Sequence, residues 1–367
     1  MTADRRTFVK KGLVTSVALL AGCTDLRSVQ SRDENKDNEK STPTPENKYS
    51  VRWKKDVAKG VTTLLTYDSD IYVGDDGELM KINTEDGSTD QSYSVKGRVQ
   101  SPIFANDELL YVTSSGDWGN LYAINPKDGT KLWKYGSSYG KGNITAPAVT
   151  GDGVFFAQEF SEGFAADPNN GEILNTFNIG GDIEAPPITK NGAVYFGNED
   201  GKVISYDISD YSNIWSSKPD SVVNSLSFGD DSLFVAGDEK IHSINPGNGS
   251  KQWTVNINKS IWSSPTVNDG VIYVPGGGLG RGSLYALDTS DGSELWRFDN
   301  ADRYSAPTIF HDEVCIGSDD GFMYVLDKNE GKLNWKIDAR AKIRASPVVS
   351  EESIFVGNVD GSLYRIE

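Results

Sequence analysis

The sequence predicts an all-β fold, an eight-bladed β-propeller of four-stranded antiparallel blades closed by an N-terminal outer strand. Three observations predict it. One four-strand unit recurs along the chain, its turns carry glycine at fixed places, and its last copy lacks a strand that the first segment supplies. The unit is clearest over 306–337, where short runs at 307–309, 314–316, 322–326 and 333–337 are rich in β-branched and aromatic residues. Asp320-Gly321 and Glu330-Gly331 place glycine where a tight hairpin needs a positive φ. A single sheet of this size cannot bury both faces, so copies must pack on copies.

The copies follow in order. Pro265, 271–274, 283–288 and Trp296 repeat the pattern, as do 232–237, 241–245 and Trp253. Pro186, 194–197, 203–207 and Trp215 form another unit, and Pro102, 109–112, 121–125 and Trp133 another. Two copies are worn: Asn175 stands at the tryptophan position of 147–177, and the copy at 64–93 has Leu64 for proline and no tryptophan. The closing copy runs from Pro347 through Asp360-Gly361 to Ile366 and stops at Glu367 without a tryptophan strand. That strand stands at the other end, as Val51-Arg52-Trp53-Lys54-Lys55. Trp53 lies 80 residues before Trp133, two repeats at the 38 to 43 residues that separate Trp215, Trp253, Trp296 and Trp335. Seven complete units and one shared between the termini make eight, and a ring joined in this way has no open edge.

The pattern [SA]-P-x-[VI], [VI]-Y-V-G, D-G-x-L-Y-A-[LI]-[DN], G-x-x-x-W resembles the pyrroloquinoline-quinone (PQQ)-like repeat, within the WD40/YVTN/PQQ-like propellers. This repeat is found in quinoprotein alcohol dehydrogenases and in BamB-type lipoprotein scaffolds of outer-membrane barrel assembly. The resemblance covers residue 51 to the C-terminus. It implies that Trp53, Trp133, Trp215, Trp253, Trp296 and Trp335 dock each blade on its neighbour and are architecture, burying area between blades.

Arg5-Arg6 and the short apolar run 13–20 lead into Leu20-Ala21-Gly22-Cys23. A largely apolar run of eight residues is too short to span a bilayer as a helix. The order resembles a Tat lipoprotein signal, which implies that 1–22 are removed and Cys23 becomes lipidated. Residues 23–48, polar and charged with Thr42-Pro43-Thr44-Pro45, read as a disordered tether, and 49–367 as the propeller. The expected location is the outer face of the cytoplasmic membrane.

Composition agrees: 38 glycines and 14 prolines in 367 residues suit many short strands and turns. The net charge of −17 becomes −20 once the cationic 1–22 are removed. Such a surface repels nucleic acid, which is excluded as a partner. The acidity fits a haloarchaeal cell-surface lipoprotein or a moderately acidic bacterial envelope protein.

Cys315 lies within a strand run and reads as a buried, inert thiol. His242 and His311 sit on different repeats and match no zinc spacing. The chain has no G-x-S-x-G elbow, Walker loop, Rossmann fingerprint or H-E-x-x-H. The glycine run 276–282 has no helix after it and reads as a loop. The acidic hairpins at Asp76-Gly77, Asp200-Gly201, Asp320-Gly321 and Asp360-Gly361 are explained by turn chemistry, so no metal is expected.

A binding function would lie where the inner strands begin. Counting back two residues from the recurrent proline gives Thr62, Gln100, Thr145, Glu184, Asn224, Ser263, Ser305 and Ala345. The residues one earlier, Val61, Val99, Ile144, Ile183, Val223 and Trp262, are apolar. This alternation predicts one row packed between blades and one facing a wet funnel. Candidate binding residues are Arg98, Gln100, Asn143, Glu184, Asn224, Trp262, Arg303, Tyr304 and Arg344.

Two function classes follow. The first is a non-catalytic, monomeric scaffold without catalytic residues or cofactor, membrane-anchored through lipid, that binds envelope or cell-surface proteins or a polymer. The second is an oxidoreductase holding PQQ and calcium in the funnel. The quinoprotein resemblance implies a vicinal cysteine pair and Glu/Asn/Asp calcium ligands. The chain lacks adjacent cysteines, keeps most repeats near minimal length, and has only Glu184, Asn224 and Trp262 as a partial echo. The scaffold reading is therefore the expectation.

Overall fold

The computed structural model describes residues 49–99, 102–106, 108–116, 119–136, 142–229, 231–277 and 282–367. Arg5, Arg6, Cys23, the leader, the tether and Gln100 lie outside the described residues. Among the described residues thirty-two strands form seven antiparallel sheets, and none of these residues is helical. No helix there is long and apolar enough to cross a membrane.

Six sheets have four strands and the seventh has eight, which differs from the expected eight separate sheets. The long sheet consists of Thr63–Tyr67, Asp70–Gly74, Asp76–Asn83 and Thr89–Val99, followed by Phe104–Ala105, Leu110–Ser115, Asn120–Ile124 and Lys131–Gly136. The two runs of four join where Thr89–Val99, eleven residues long, overshoots its own unit and pairs Arg98 with Ser115 and Val99 with Ser114. Gly97, at φ +93, turns the strand into this second pairing.

The termini meet as the spacing predicts. Val51–Asp56 pairs antiparallel with Ser362–Ile366, with Lys54 opposite Tyr364 and Lys55 opposite Leu363. Ser50 and Glu367 exchange both backbone hydrogen bonds, at 2.6 and 3.0 Å. The sheet is completed by Ile354–Gly357 and Val348–Val349, so the first strand of the chain is the outer strand of the last sheet.

The core lies between sheets, in eight apolar clusters that mix side chains from adjacent units. Around the outer strands one device recurs. The indole N–H of Trp53, Trp133, Trp215, Trp253 and Trp296 donates to a carbonyl in the next unit's outer turn: Thr84, Pro168, Pro246, Thr289 and Lys328, at 2.8–3.0 Å. The glycine of that turn lies flat on the indole. A Cβ at Gly171 would come 2.6 Å from Trp133, and its φ of +73 also favours glycine.

The departures from this device are compensated locally. In the worn first copy the tryptophan position is Gln91, opposite Lys81. Tyr93 takes over, its hydroxyl donating to Pro126 O at 3.0 Å. In the second worn copy Asn175 stands opposite Ala165, and the next turn supplies Tyr211 in place of glycine. Trp335 faces the seam, where Ser362–Ile366 and Val51–Asp56 pair without being consecutive strands of one hairpin. Tyr49 covers it instead, with ring centroids 5.6 Å apart, and donates its hydroxyl to the buried Glu313.

Candidate protein-docking face

Strand order places two kinds of connection at one end of every unit: the hairpin between the second and third strands, and the link from one unit's outer strand to the next unit's inner strand. In six of the links one buried residue donates its N–H back to the preceding unit's hairpin. Val61 reaches Asn358, Val99 reaches Asp75, Ile183 reaches Glu159, Val223 reaches Asn198, Ile261 reaches Asp238 and Ile343 reaches Ser318, at 2.7–3.4 Å. All six side chains are buried. The hydrophobic plug fixes the residue after it, giving one equivalent position per link: Thr62, Thr145, Glu184, Asn224, Trp262, Ser305 and Arg344.

This corrects the row counted back from proline. Ile261 and Ile343 stand four residues before their prolines, whereas Tyr304 stands three before Pro307, so a fixed offset slips by one. Trp262 is not a plug; it belongs to the row, and Ile261 is the plug. Ser263 and Ala345 fall one position late and are buried.

Nor do all of the polar members face water. Thr145 and Ser305 are buried, and their hydroxyls accept from Ala157 N and Gly317 N at 3.0 Å. Thr62 donates to Gly74 O at 2.8 Å, and the misplaced Ser263 to Tyr304 O at 2.8 Å. Thr145 and Ser305 meet second-strand N–H groups, Thr62 a second-strand carbonyl and Ser263 a link carbonyl.

The exposed members are Glu184, Trp262 and Arg344, with Asn224 half-buried. Asn224 turns its amide to Ile261 O at 3.2 Å, tying its link to the next. Trp262 is 44% exposed, yet it is held: its indole N–H donates to Gly277 O at 3.2 Å, and the Arg303 guanidinium lies 5.7 Å from its ring centre. Arg344 is paired to Asp319 at 3.1 Å, and Lys342 reaches the same carboxylate at 3.6 Å. Tyr304 is buried, edge-on to Tyr324. Arg98 and Asn143 are exposed, and the Asn143 N–H donates to the Glu159 carboxylate at 2.9 Å.

Glu184 stands in an acidic neighbourhood. Partial burial, then the Glu199, Glu159 and Asp182 carboxylates, push its pKa above the usual range. Nearby, His242 is fully buried between Ser221 Oγ and Thr254 Oγ1, each at 2.9 Å. Burial, helped by Lys251 and Lys240, lowers its pKa to about 4 and keeps it neutral. Sequence reading set this histidine aside, and only its buried partners reveal it as a polar core element.

Among the described residues no group of three or more His, Cys, Asp or Glu side chains is arranged to hold a metal ion. The acidic hairpins use their side chains internally: Asp75 accepts from Lys59 N at 2.9 Å, Asn198 from Lys202 N at 2.8 Å and Asn358 from Ser362 N at 2.9 Å. A quinone with calcium does not fit this row. The Asn224 amide is committed to backbone, the Trp262 ring already carries Arg303, and the row's hydroxyls are bonded to second-strand backbone.

The sequence profile described as outer membrane protein assembly factor BamB matches residues 46–240, 237–321 and 280–367. An outer membrane protein assembly factor BamB from Shewanella oneidensis is 27% identical over 266 residues, covering 66% of this chain and 65% of that protein. The chain thus matches just under two thirds of that relative's length. The solved structure of BamB from Moraxella catarrhalis is similar in fold, with a TM-score of 0.71, 13% identity, and 87% of this chain and 99% of that chain covered. A quinohemoprotein alcohol dehydrogenase from Comamonas testosteroni shares the fold with a TM-score of 0.72, 13% identity and coverage of 87% and 76%. The computationally designed Ika8 protein does so with a TM-score of 0.73, 17% identity and coverage of 85% and 97%. With its repeats matched from residue 46 to its last, the chain is a PQQ-like repeat β-propeller and belongs to the family described as outer membrane protein assembly factor BamB.

Proposed function

We propose that the protein is a non-catalytic envelope scaffold whose link end docks other proteins. In this reading residues 1–22 direct Tat export, Cys23 carries lipid, 23–48 tether the propeller to the outer face of the cytoplasmic membrane, and the ring has eight blades, two of them fused through Arg98 and Val99. The acidity suits a haloarchaeal cell-surface lipoprotein, or a moderately acidic bacterial envelope protein.

The observation that carries the reading is the contrast within one row. Positions that could present hydroxyls to a small molecule are tied into the backbone, while Glu184, Trp262 and Arg344 stand exposed on a rigid frame. Protruding groups on a preorganised surface suit a macromolecular partner better than a concave small-molecule pocket. The family likeness supports the same direction.

The test is site-specific photo-crosslinking in the native envelope, from positions 184, 262 and 344 and from positions 85 and 330 in the outer turns. The scaffold reading expects protein adducts from the first set and few from the second. Adducts from neither, or from the outer turns alone, contradict it. Soaking the purified protein with PQQ and calcium tests the oxidoreductase reading, and a quinone spectrum with alcohol-dependent dye reduction overturns the non-catalytic assignment.

A further inference from the structure

Resting on the scaffold reading, the chemistry of the partner can be taken further. The large exposed apolar residues Val51, Leu132, Leu174, Ile214, Leu295 and Leu333 all lie on outer strands at the rim. Among the described residues, Trp262 alone of the exposed large apolar side chains stands at the link end. It is held by Gly277 and Arg303 before any partner arrives, so little side-chain entropy is lost on contact, which is the character of an interface anchor.

The charges beside it are unevenly satisfied. On one side the cations are occupied: Arg344 and Lys342 share Asp319, and Arg303 lies on the indole. On the other, Glu159, Asp182, Glu184, Glu199 and Asp200 cluster on two successive units. Among the described residues none of these five forms an ion pair with lysine or arginine. The hairpin backbone brings them together, since Glu199 N donates to Asp182 O at 2.8 Å and Ile183 N to Glu159 O at 3.4 Å. Beside Trp262 the unpaired charge is thus concentrated in this acidic arc, and an acidic partner would meet a chain of net charge −17.

We infer that the link end docks a basic, extended segment of a partner protein, its cationic side chains over the Glu159–Glu184–Glu199 arc and an apolar side chain against Trp262. Asn224, half-buried in the link between Glu184 and Trp262, lies beneath the path such a segment takes.

The experiment uses the full-length protein and a fluorescein-labelled peptide of alternating arginine and leucine, followed by anisotropy at moderate salt. Its glutamate-for-arginine counterpart and alginate, an anionic polysaccharide, each fluorescein-labelled, are titrated separately with the protein. Glu184→Gln/Glu199→Gln and Trp262→Ala should each weaken binding roughly tenfold, the weight of one interface anchor. Glu351→Gln/Glu352→Gln, at the opposite end, should change it less than about twofold. Circular dichroism confirms folding, and Trp262→Phe, which keeps a ring, should recover part of the loss. Equal weakening by both charge pairs, no effect of Trp262→Ala, or binding of labelled alginate or of the glutamate peptide as tight as that of the arginine peptide overturns the inference. If the peptide fails to bind while crosslinks from 184 and 262 still trap protein, this inference falls and the scaffold reading stands. If those crosslinks fail as well, both fall.

Discussion

The ring of Tyr211 meets Phe177 edge to face, centroids 5.8 Å apart, in the place where five other junctions close a tryptophan on a glycine. Asn175 leaves the tryptophan position empty of an indole, and Tyr211 fills the space from the opposite side at a φ of +61. The two departures from the repeat are one exchange, made across a junction between units.

That exchange predicts strong coupling. Asn175→Trp alone places an indole against an occupied space, and Tyr211→Gly alone removes packing from Phe177; each should destabilise by about 1–3 kcal/mol. The double variant restores the ordinary junction and should recover at least ~1 kcal/mol relative to the sum of the two. Urea unfolding of the four proteins measures it, and additive losses would refute the exchange.

Where a glycine faces an indole, two penalties combine. Gly171→Ala suffers both a positive φ and a Cβ 2.6 Å from Trp133, whereas Gly192 has a φ of +78 with nothing within 4 Å of its Cβ position. Gly192→Ala should therefore cost about 1 kcal/mol and Gly171→Ala clearly more, about 2–4 kcal/mol. Similar losses in thermal unfolding would show that the indole contact is irrelevant.

Much of this ring is visible in the chain itself. The indole strands, the Asp-Gly hairpins and the displaced Trp53 strand repeat at fixed spacing, because period-two burial and turn conformation leave local marks. The substitutes do not: Tyr93 answers for a tryptophan missing two positions earlier in its own strand, and Tyr49 for the hairpin turn that the seam lacks among the described residues. The candidate row was legible at Glu184 and Asn224, while Trp262 was assigned to the wrong face. The links carry no strand periodicity and vary by one residue, so phase comes from the buried plug and its backbone bond.

At the seam, Tyr49→Phe keeps the ring on Trp335 but removes the hydroxyl that donates to Glu313. Glu313 then loses one donor while Asn334 Nδ2 stays at 3.1 Å, and stability should fall by about 1–3 kcal/mol. Tyr49→Ala should cost more, because the indole is also uncovered. A neutral Tyr49→Phe in denaturant titration would remove Tyr49 from the closure.

His242 predicts an acid dependence. Its pKa falls from the ordinary 6.5 to about 4 on folding, so between these values the unfolded chain binds a proton that the folded one refuses. The contribution of this site is constant above 6.5 and is lost as pH falls toward 4, by up to about 3 kcal/mol. His242→Gln should flatten the decline between pH 6.5 and 4 relative to the parent. An unchanged slope would mean that the imidazole is protonated in the folded state.

Closure of the ring by the first strand is the central claim, and a disulfide reads it directly. Lys54 and Tyr364 are opposite one another, with the Lys54 ammonium 5.6 Å from the tyrosine ring centre. Lys54→Cys/Tyr364→Cys, oxidised in the folded protein, should link the two ends of the chain near-quantitatively and raise the unfolding midpoint over the reduced form. A folded protein in which the two cysteines stay reduced, or link without any gain in stability, would contradict closure by this strand.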